Sequence, residues 1–431
     1  MNPFRFLCLA VAVSAAGLAF VVTTSTAVAR EEAIYRFANV ADGFGPLGLV
    51  ADEEGDLYGT TDLGGPNTNC YQGCGTTFEL SPPSTPGGKW TKTTIHAFNA
   101  DGVDGYQPTP SILLDNEGNI FGTTYFGGAH NAGMIYELVP PIEPNEPWNE
   151  YILFSFQYGG TNPNIAGALL QTETGFYATT FAGGSAGGGT LLAMTQKRGS
   201  LSETVLHSFD LQRTSRPPGR TLILDGAGNI YGIRFGMNGV CTPDFPVYCG
   251  TVYRFKPTTP GGTSKYEILH RFEGSSDGWF PNDELTFDKH GNLFGTTSTG
   301  GAGTQGIVFE LVPNKMGRPW AEQVVFSFGF GGDYQPLGGV VFGPRGELFG
   351  ATSGGTIDAG TIYRLTPPPM LGGAWTESTL YRFSGGSDGG EPNDQLVFGH
   401  DGALYGTTYA GGTGPCTYYG RGCGVVFRIT R

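Results

Sequence analysis

Arg213, Arg216, Arg220 and Arg234 stand close together in a 431-residue chain where acids outnumber bases, 38 Asp+Glu to 24 Lys+Arg, for a formal charge of −14. Gathering charge of the minority sign is costly unless each group is paired. A guanidinium grips a carboxylate through two parallel hydrogen bonds, so such a cluster has the chemistry of an anion site. Trp279 and Tyr334 offer rings on which a sugar could stack, and Asp283 is an internal acid that could pair with Arg220 instead. His96, His207 and His270 look like a metal triad, and six cysteines fall in three close pairs, Cys70/Cys74, Cys241/Cys249 and Cys416/Cys423. The sequence has no phosphate loop, Gly-x-Ser-x-Gly elbow or Asp-x-Asp-x-Asp-Gly calcium loop in a suitable context. An acidic chain is also a poor partner for nucleic acid.

The elements that must position these residues are strands. Gly (73) and Pro (29) make up almost a quarter of the chain, which interrupts helices too often for a helical fold, while 39% apolar and 13% aromatic residues suffice for a packed core. One pentapeptide recurs seven times: Leu57–Thr61, Ile120–Thr124, Phe176–Thr180, Ile230–Arg234, Leu293–Thr297, Leu348–Thr352 and Leu404–Thr408, with a period of about 58 residues. Each repeat holds four runs with strand character, bounded by Gly, Pro and Asp. Seven repeats of four strands predict an all-β, seven-bladed β-propeller. A linear solenoid would need a polar cap at each end, and neither end carries one. Ala33–Phe37 matches the fourth strand of a repeat, and the chain ends on a third strand, so the N-terminal strand is expected to complete the last blade, residues 392–429.

The repeat register assigns bland roles to several residues. His96, His207 and His270 share their position with Tyr35, Phe154, Phe326 and Tyr381, so the slot takes any flat ring and a shared metal site is not expected. Trp90, Trp148, Trp320 and Trp375 keep a fixed offset from a fourth-strand Phe, which predicts blade packing. Asp52, Asp115, Asp225 and Asp288 precede a Gly by three residues and read as turn formers. The three cysteine pairs occupy one repeat position, between second and third strands. Partners in different blades would lie beyond disulfide reach, so three local disulfides are predicted. The fourth repeat breaks the pattern. Arg213 and Arg216 fall in an entry loop that elsewhere carries Asp-Gly, Arg220 aligns with Asp283 and Asp394 on the channel-lining strand, and Arg234 replaces a Thr.

The run Gly402–Gly412, followed by Gly424–Phe427, resembles the Gloeo/Verruco (GloVer) tandem repeat, with departures at Ala178 and at Ile233-Arg234. The resemblance implies an exported bacterial repeat protein and supplies no catalytic residues. Arg5, the apolar stretch Leu7–Val22 and Ala27-Val28-Ala29 read as a signal peptide, residues 1–29, leaving residues 30–431 as the propeller. No other apolar run approaches membrane length. The expectation is a secreted, extracellular or periplasmic monomer without cofactor or metal, binding carbohydrate or another extracellular partner. An acidic glycan is expected to meet Arg216, Arg220 and Arg234, beside Trp279, Tyr334 and Asp283. The alternative is an enzyme, a lyase or hydrolase of an acidic glycan, in which the arginines neutralise a uronate carboxylate.

Overall fold

The computed structural model describes residues 29–85, 87–143, 146–158, 164–197, 200–210, 218–235, 249–257, 264–274, 276–314, 320–329, 333–354, 359–370, 372–416 and 422–430. Residues 1–28 of the predicted signal segment, Arg213, Arg216 and Cys241 lie outside them. Seven antiparallel sheets follow one another along the chain, each ordered first to fourth strand from the channel outward. Their fourth strands end in rings that stack edge-on: Tyr35–Phe37, His96–Phe98, Phe154–Phe156, His207–Phe209, His270–Phe272, Phe326–Phe328 and Tyr381–Phe383, with centroids 4.7 to 5.2 Å apart. This is a seven-bladed β-propeller, and the flat-ring slot is occupied in every blade.

The ring closes as the permuted repeat requires. Arg30–Arg36 pairs antiparallel with Val425–Thr430, placing Arg30 opposite Thr430 and Ala33 opposite Phe427. The last sheet thereby gains its fourth strand, and the otherwise bare edge of Val425–Thr430 is paired.

Each position of the pentapeptide has a physical reason. Its glycine lies opposite a third-strand ring, as in Gly122↔Tyr136, Gly295↔Phe309 and Gly350↔Tyr363. A Cβ at Gly350 would come within 2.3 Å of the Tyr363 hydroxyl, so the ring takes the space that a side chain would fill. Ala178 is the departure, and its partner is Leu192, which has no ring. The first threonine joins blades: Thr60 donates to the Thr109 carbonyl (3.2 Å), Thr123 to Gly167 (3.3 Å), Thr179 to Gly219 (3.0 Å) and Thr296 to Gly338 (2.6 Å). The second threonine bonds within its blade, as in Thr61–Thr76 (2.9 Å) and Thr352–Thr361 (2.7 Å).

Tryptophans pack one blade on its predecessor. Trp90 meets Tyr405, Trp148 meets Tyr58 and Trp320 meets Tyr231, with ring centroids 5.9 to 6.4 Å apart. The turn aspartates cap their own turns: Asp288 accepts from the His290 and Asn292 amides, both at 2.8 Å. Cys70–Cys74 and Cys416–Cys423 are disulfides, with Cα atoms 5.1 and 4.9 Å apart, and Cys249 is also disulfide-bonded. Among the described residues no helix is long and apolar enough to cross a membrane.

Candidate functional site

The first strands line a central cavity of about 470 Å³. Its walls are partly aliphatic, with Leu49, Ile112, Leu169 and Leu222 from successive blades. Charge enters from three blades: Arg220 from the fourth, Asp283 and Glu284 from the fifth, and Asp394 from the seventh. The acids occupy breaks in their strands. In the fifth blade the first strand runs Trp279–Pro281 and resumes at Thr286–Phe287; in the seventh it runs Gly390–Pro392 and resumes at Val397–Phe398. Between the pieces lie Asn282-Asp283-Glu284-Leu285 and Asn393-Asp394-Gln395-Leu396, each following directly on a proline.

These side chains substitute for missing ladder bonds by reaching neighbouring blades. Asp283 Oδ1 accepts the Arg220 amide at 2.7 Å, and Asp394 Oδ2 accepts the Gly48 amide at 2.9 Å. Glu284 Oε2 accepts from Gly339, and Gln395 Nε2 donates to the Val340 carbonyl at 3.3 Å. The Arg220 guanidinium lies 4.0 Å from Asp283 and 5.7 Å from the centre of the Tyr125 ring. Tyr125 stacks on Phe181, its centroid 6.1 Å away, and its buried hydroxyl has no hydrogen-bond partner among the described residues. On the adjoining last and first blades Tyr409 donates to Asp62 at 3.2 Å. Asp62, Tyr125, Phe181 and Tyr409 each follow directly on the pentapeptide, a position whose alternation puts it on the opposite sheet face from the second threonine.

Burial is the main force on the titration of these groups. It raises Asp394 to about 6, with the Gly48 amide and Arg220 opposing. It raises Glu284 to about 8, helped by the nearby Asp394 and Asp283. Asp283 and Asp62 also shift upward through burial, against the pull of Arg220. Desolvation lowers Arg220, but Tyr125 and the surrounding acids outweigh it and leave the guanidinium more firmly protonated. The result is one fixed cation among four carboxyl groups, two of which change protonation near neutral pH. A carboxyl group in that range can both donate to and accept from hydroxyls. Arg220 remains 44% exposed in its side chain, so the cluster faces water in the cavity.

Of the residues singled out from the sequence, the structure brings Arg220 and Asp283 together. Arg234 goes elsewhere, contrary to the expected convergence. It is 6% exposed, donates to the Asp210 carbonyl at 2.8 Å, pairs with the Asp210 carboxylate at 3.4 Å and lies 5.1 Å from the centre of the Phe209 ring. Side chains alternate along a strand, and the next residue, Phe235, lines the cavity, so Arg234 faces away. Trp279 stacks on Phe280 at 5.2 Å, and the Tyr334 ring presses on Gly354; neither lines the cavity. Arg216 lies outside the described residues. Glu284, Asp62, Tyr125 and Tyr409 were not singled out. The twofold occurrence of Pro-Asn-Asp and the variable residue after the pentapeptide were the signals for them.

The chain matches the Gloeobacter/Verrucomicrobia repeat over residues 9–242 and 142–331. It belongs to that family. No curated protein matches this chain. Among solved structures it is similar to the extracellular domain of a one-component system from B. thetaiotaomicron, at 11% identity and a TM-score of 0.50, over 91% of this chain and 39% of that one. A protein assigned as an oxidoreductase (glucose dehydrogenase) from Thermus thermophilus gives 18% identity and a TM-score of 0.43, over 93% of this chain and 100% of that one. One assigned as a 6-phosphogluconolactonase from Bacteroides fragilis gives 13% and 0.46, over 78% and 84%. At these identities the likeness is one of fold alone.

Proposed function

We propose that this family member is an exported, non-catalytic propeller that binds a neutral glycan at the charged mouth of its central cavity. The observation that carries the reading is the composition of the mouth: Arg220 among Asp62, Asp283, Glu284 and Asp394, flanked by Tyr125, Phe181 and Tyr409. Carboxyl groups and rings suit a polyol, whose hydroxyls take hydrogen bonds and whose apolar face takes stacking. The excess of acid disfavours the acidic glycan expected from the arginines alone, because Arg220 already has acids around it. Disulfide-bonded cysteines support an oxidising compartment.

Glycan-array binding followed by calorimetry tests this. The expected result is binding of neutral oligosaccharides that survives ~0.5 M salt, where charge interactions are largely screened, and is lost in Tyr125→Ala. Selective binding of uronate polymers that collapses with salt would overturn it. The second reading, a polysaccharide-acting enzyme, draws on the two carboxyl groups held near neutrality, Asp394 and Glu284. Release of reducing or unsaturated ends by the wild type, abolished in Asp394→Asn, would establish it in place of simple binding.

A further inference from the structure

A second cluster lies away from the channel, where the outer strands of the first two blades meet. His96 stands on the fourth strand of the first blade (Thr91–Ala97), Asp104 in the loop entering the second blade, and Glu150 on that blade's fourth strand (Asn149–Ser155). His96 Nε2 lies 3.1 Å from Asp104 Oδ2 and 3.5 Å from Glu150 Oε1. All three ligand atoms fall within 4.8 Å of one another, and this is the one such set among the described residues.

The position of Glu150 holds an acid in most blades, Glu31, Glu203, Glu322 and Glu377 among them, and a cation in one. Between the last blade and the first, the Tyr35 hydroxyl donates to Asp42 at 2.8 Å, and Lys92, at the position of Glu150, pairs with Asp42 at 3.0 Å. There the third residue is a cation, and the aspartate is neutralised. At the His96 junction the third residue is another acid, as Glu322 is beside His270 and Asp277, but among the described residues only at His96 do the three ligand atoms converge within 4.8 Å. Imidazolium would carry one positive charge against two carboxylates. Glu150 Oε1 is buried and has no hydrogen-bond partner among the described residues.

We propose that His96, Asp104 and Glu150 bind a divalent transition metal of the zinc class, clamping the second blade to the first. Ligand atoms about 2.0–2.1 Å from a tetrahedral zinc stand roughly 3.3–3.4 Å apart, close to the spacing His96 Nε2 keeps to both acids. One imidazole with two carboxylates suits zinc, whereas calcium takes about six to eight oxygens and disfavours nitrogen. Asp104 is held by the outer contacts that metal ligands commonly have: Oδ2 accepts the Asn99 amide at 2.9 Å and Oδ1 the Gly105 amide at 2.5 Å. Three protein ligands leave a fourth position for water.

The test is a titration of the chelator-stripped protein with Zn²⁺ by calorimetry, and with Co²⁺ by visible absorption, whose band intensity reports tetrahedral coordination. One equivalent is expected to bind at micromolar affinity or better and to raise the melting temperature. His96→Phe puts in the ring that the second and fifth blades carry at this position, Phe154 and Phe326, so it keeps the fold. It is expected to weaken binding roughly 100-fold or more, and Glu150→Gln roughly 10-fold or more. His270→Phe, a control at another blade junction, is expected to leave binding unchanged. Failure of the wild type to bind either ion, or full binding by His96→Phe, would overturn the assignment.

Discussion

Glu284→Gln should stabilise this protein, and only at high pH. The Glu284 carboxyl titrates near 8 in the folded protein because burial and two neighbouring acids oppose its charge. In the unfolded chain it ionises near its ordinary value of about 4.3. Below that value both states are protonated and the site costs nothing. As pH rises from about 4.3 towards 8 the unfolded state loses its proton first, so native stability falls through that window. The full shift corresponds to ~5 kcal/mol at about 1.4 kcal/mol per unit. Water in the cavity screens the group, and ~2 kcal/mol is the better expectation. Glutamine keeps the carbonyl that accepts the Gly339 amide, and Gln395 already fills the matching position in the seventh blade. Thermal melts of both proteins at about pH 3.5 and pH 9, on either side of that window, measure the difference. The variant should match wild type at the lower pH and melt roughly 2–4 °C higher at the upper one. An equal shift at both pH values, or a loss at the upper one, would refute the reasoning.

Deleting Glu31–Arg36 should expose the edge of Val425–Thr430, lowering the melting temperature and promoting aggregation; an unchanged melt and solubility would count against the closure role. Gly350→Ala should cost about 1–3 kcal/mol by forcing the Tyr363 ring aside, whereas Ala178→Gly should cost no more than about 1 kcal/mol, and equal losses in denaturant melts would discredit the ring-space account. Arg234→Ala should destabilise by roughly 1–3 kcal/mol through its lost burial against Phe209 and Asp210 without touching glycan binding, while Arg220→Ala should impair binding; the opposite assignment would place the site between blades.

Much of the architecture was legible because a repeat states its packing several times over. The glycine and first threonine of the pentapeptide recur because a ring and a neighbouring carbonyl recur beside them. Departures such as Ala178 match a change in the partner. The ring slot, the tryptophan offset and the closing strand were readable for the same reason. The channel cluster was harder. Asp283 and Asp394 align with Arg220, but their chemistry comes from broken strands whose side chains reach other blades. Arg234 looked like a companion of Arg220, yet strand alternation turns it to the opposite face. The His96 cluster joins residues from two blades, and single-repeat comparison shows only that a flat ring fits there.

The strand that closes the ring has a consequence in time. The Thr430 hydroxyl bonds the Arg30 carbonyl across 400 positions of chain. Arg30–Arg36 therefore waits for Val425–Thr430 to be synthesised before it can pair. Six blades can assemble from near neighbours while the seventh remains without its outer strand, presenting an open edge to any other nascent chain. Closure of so distant a contact is slow, and an open edge during that interval invites wrong pairing. Refolding yield should depend on protein concentration more steeply than the stability of the finished ring would suggest.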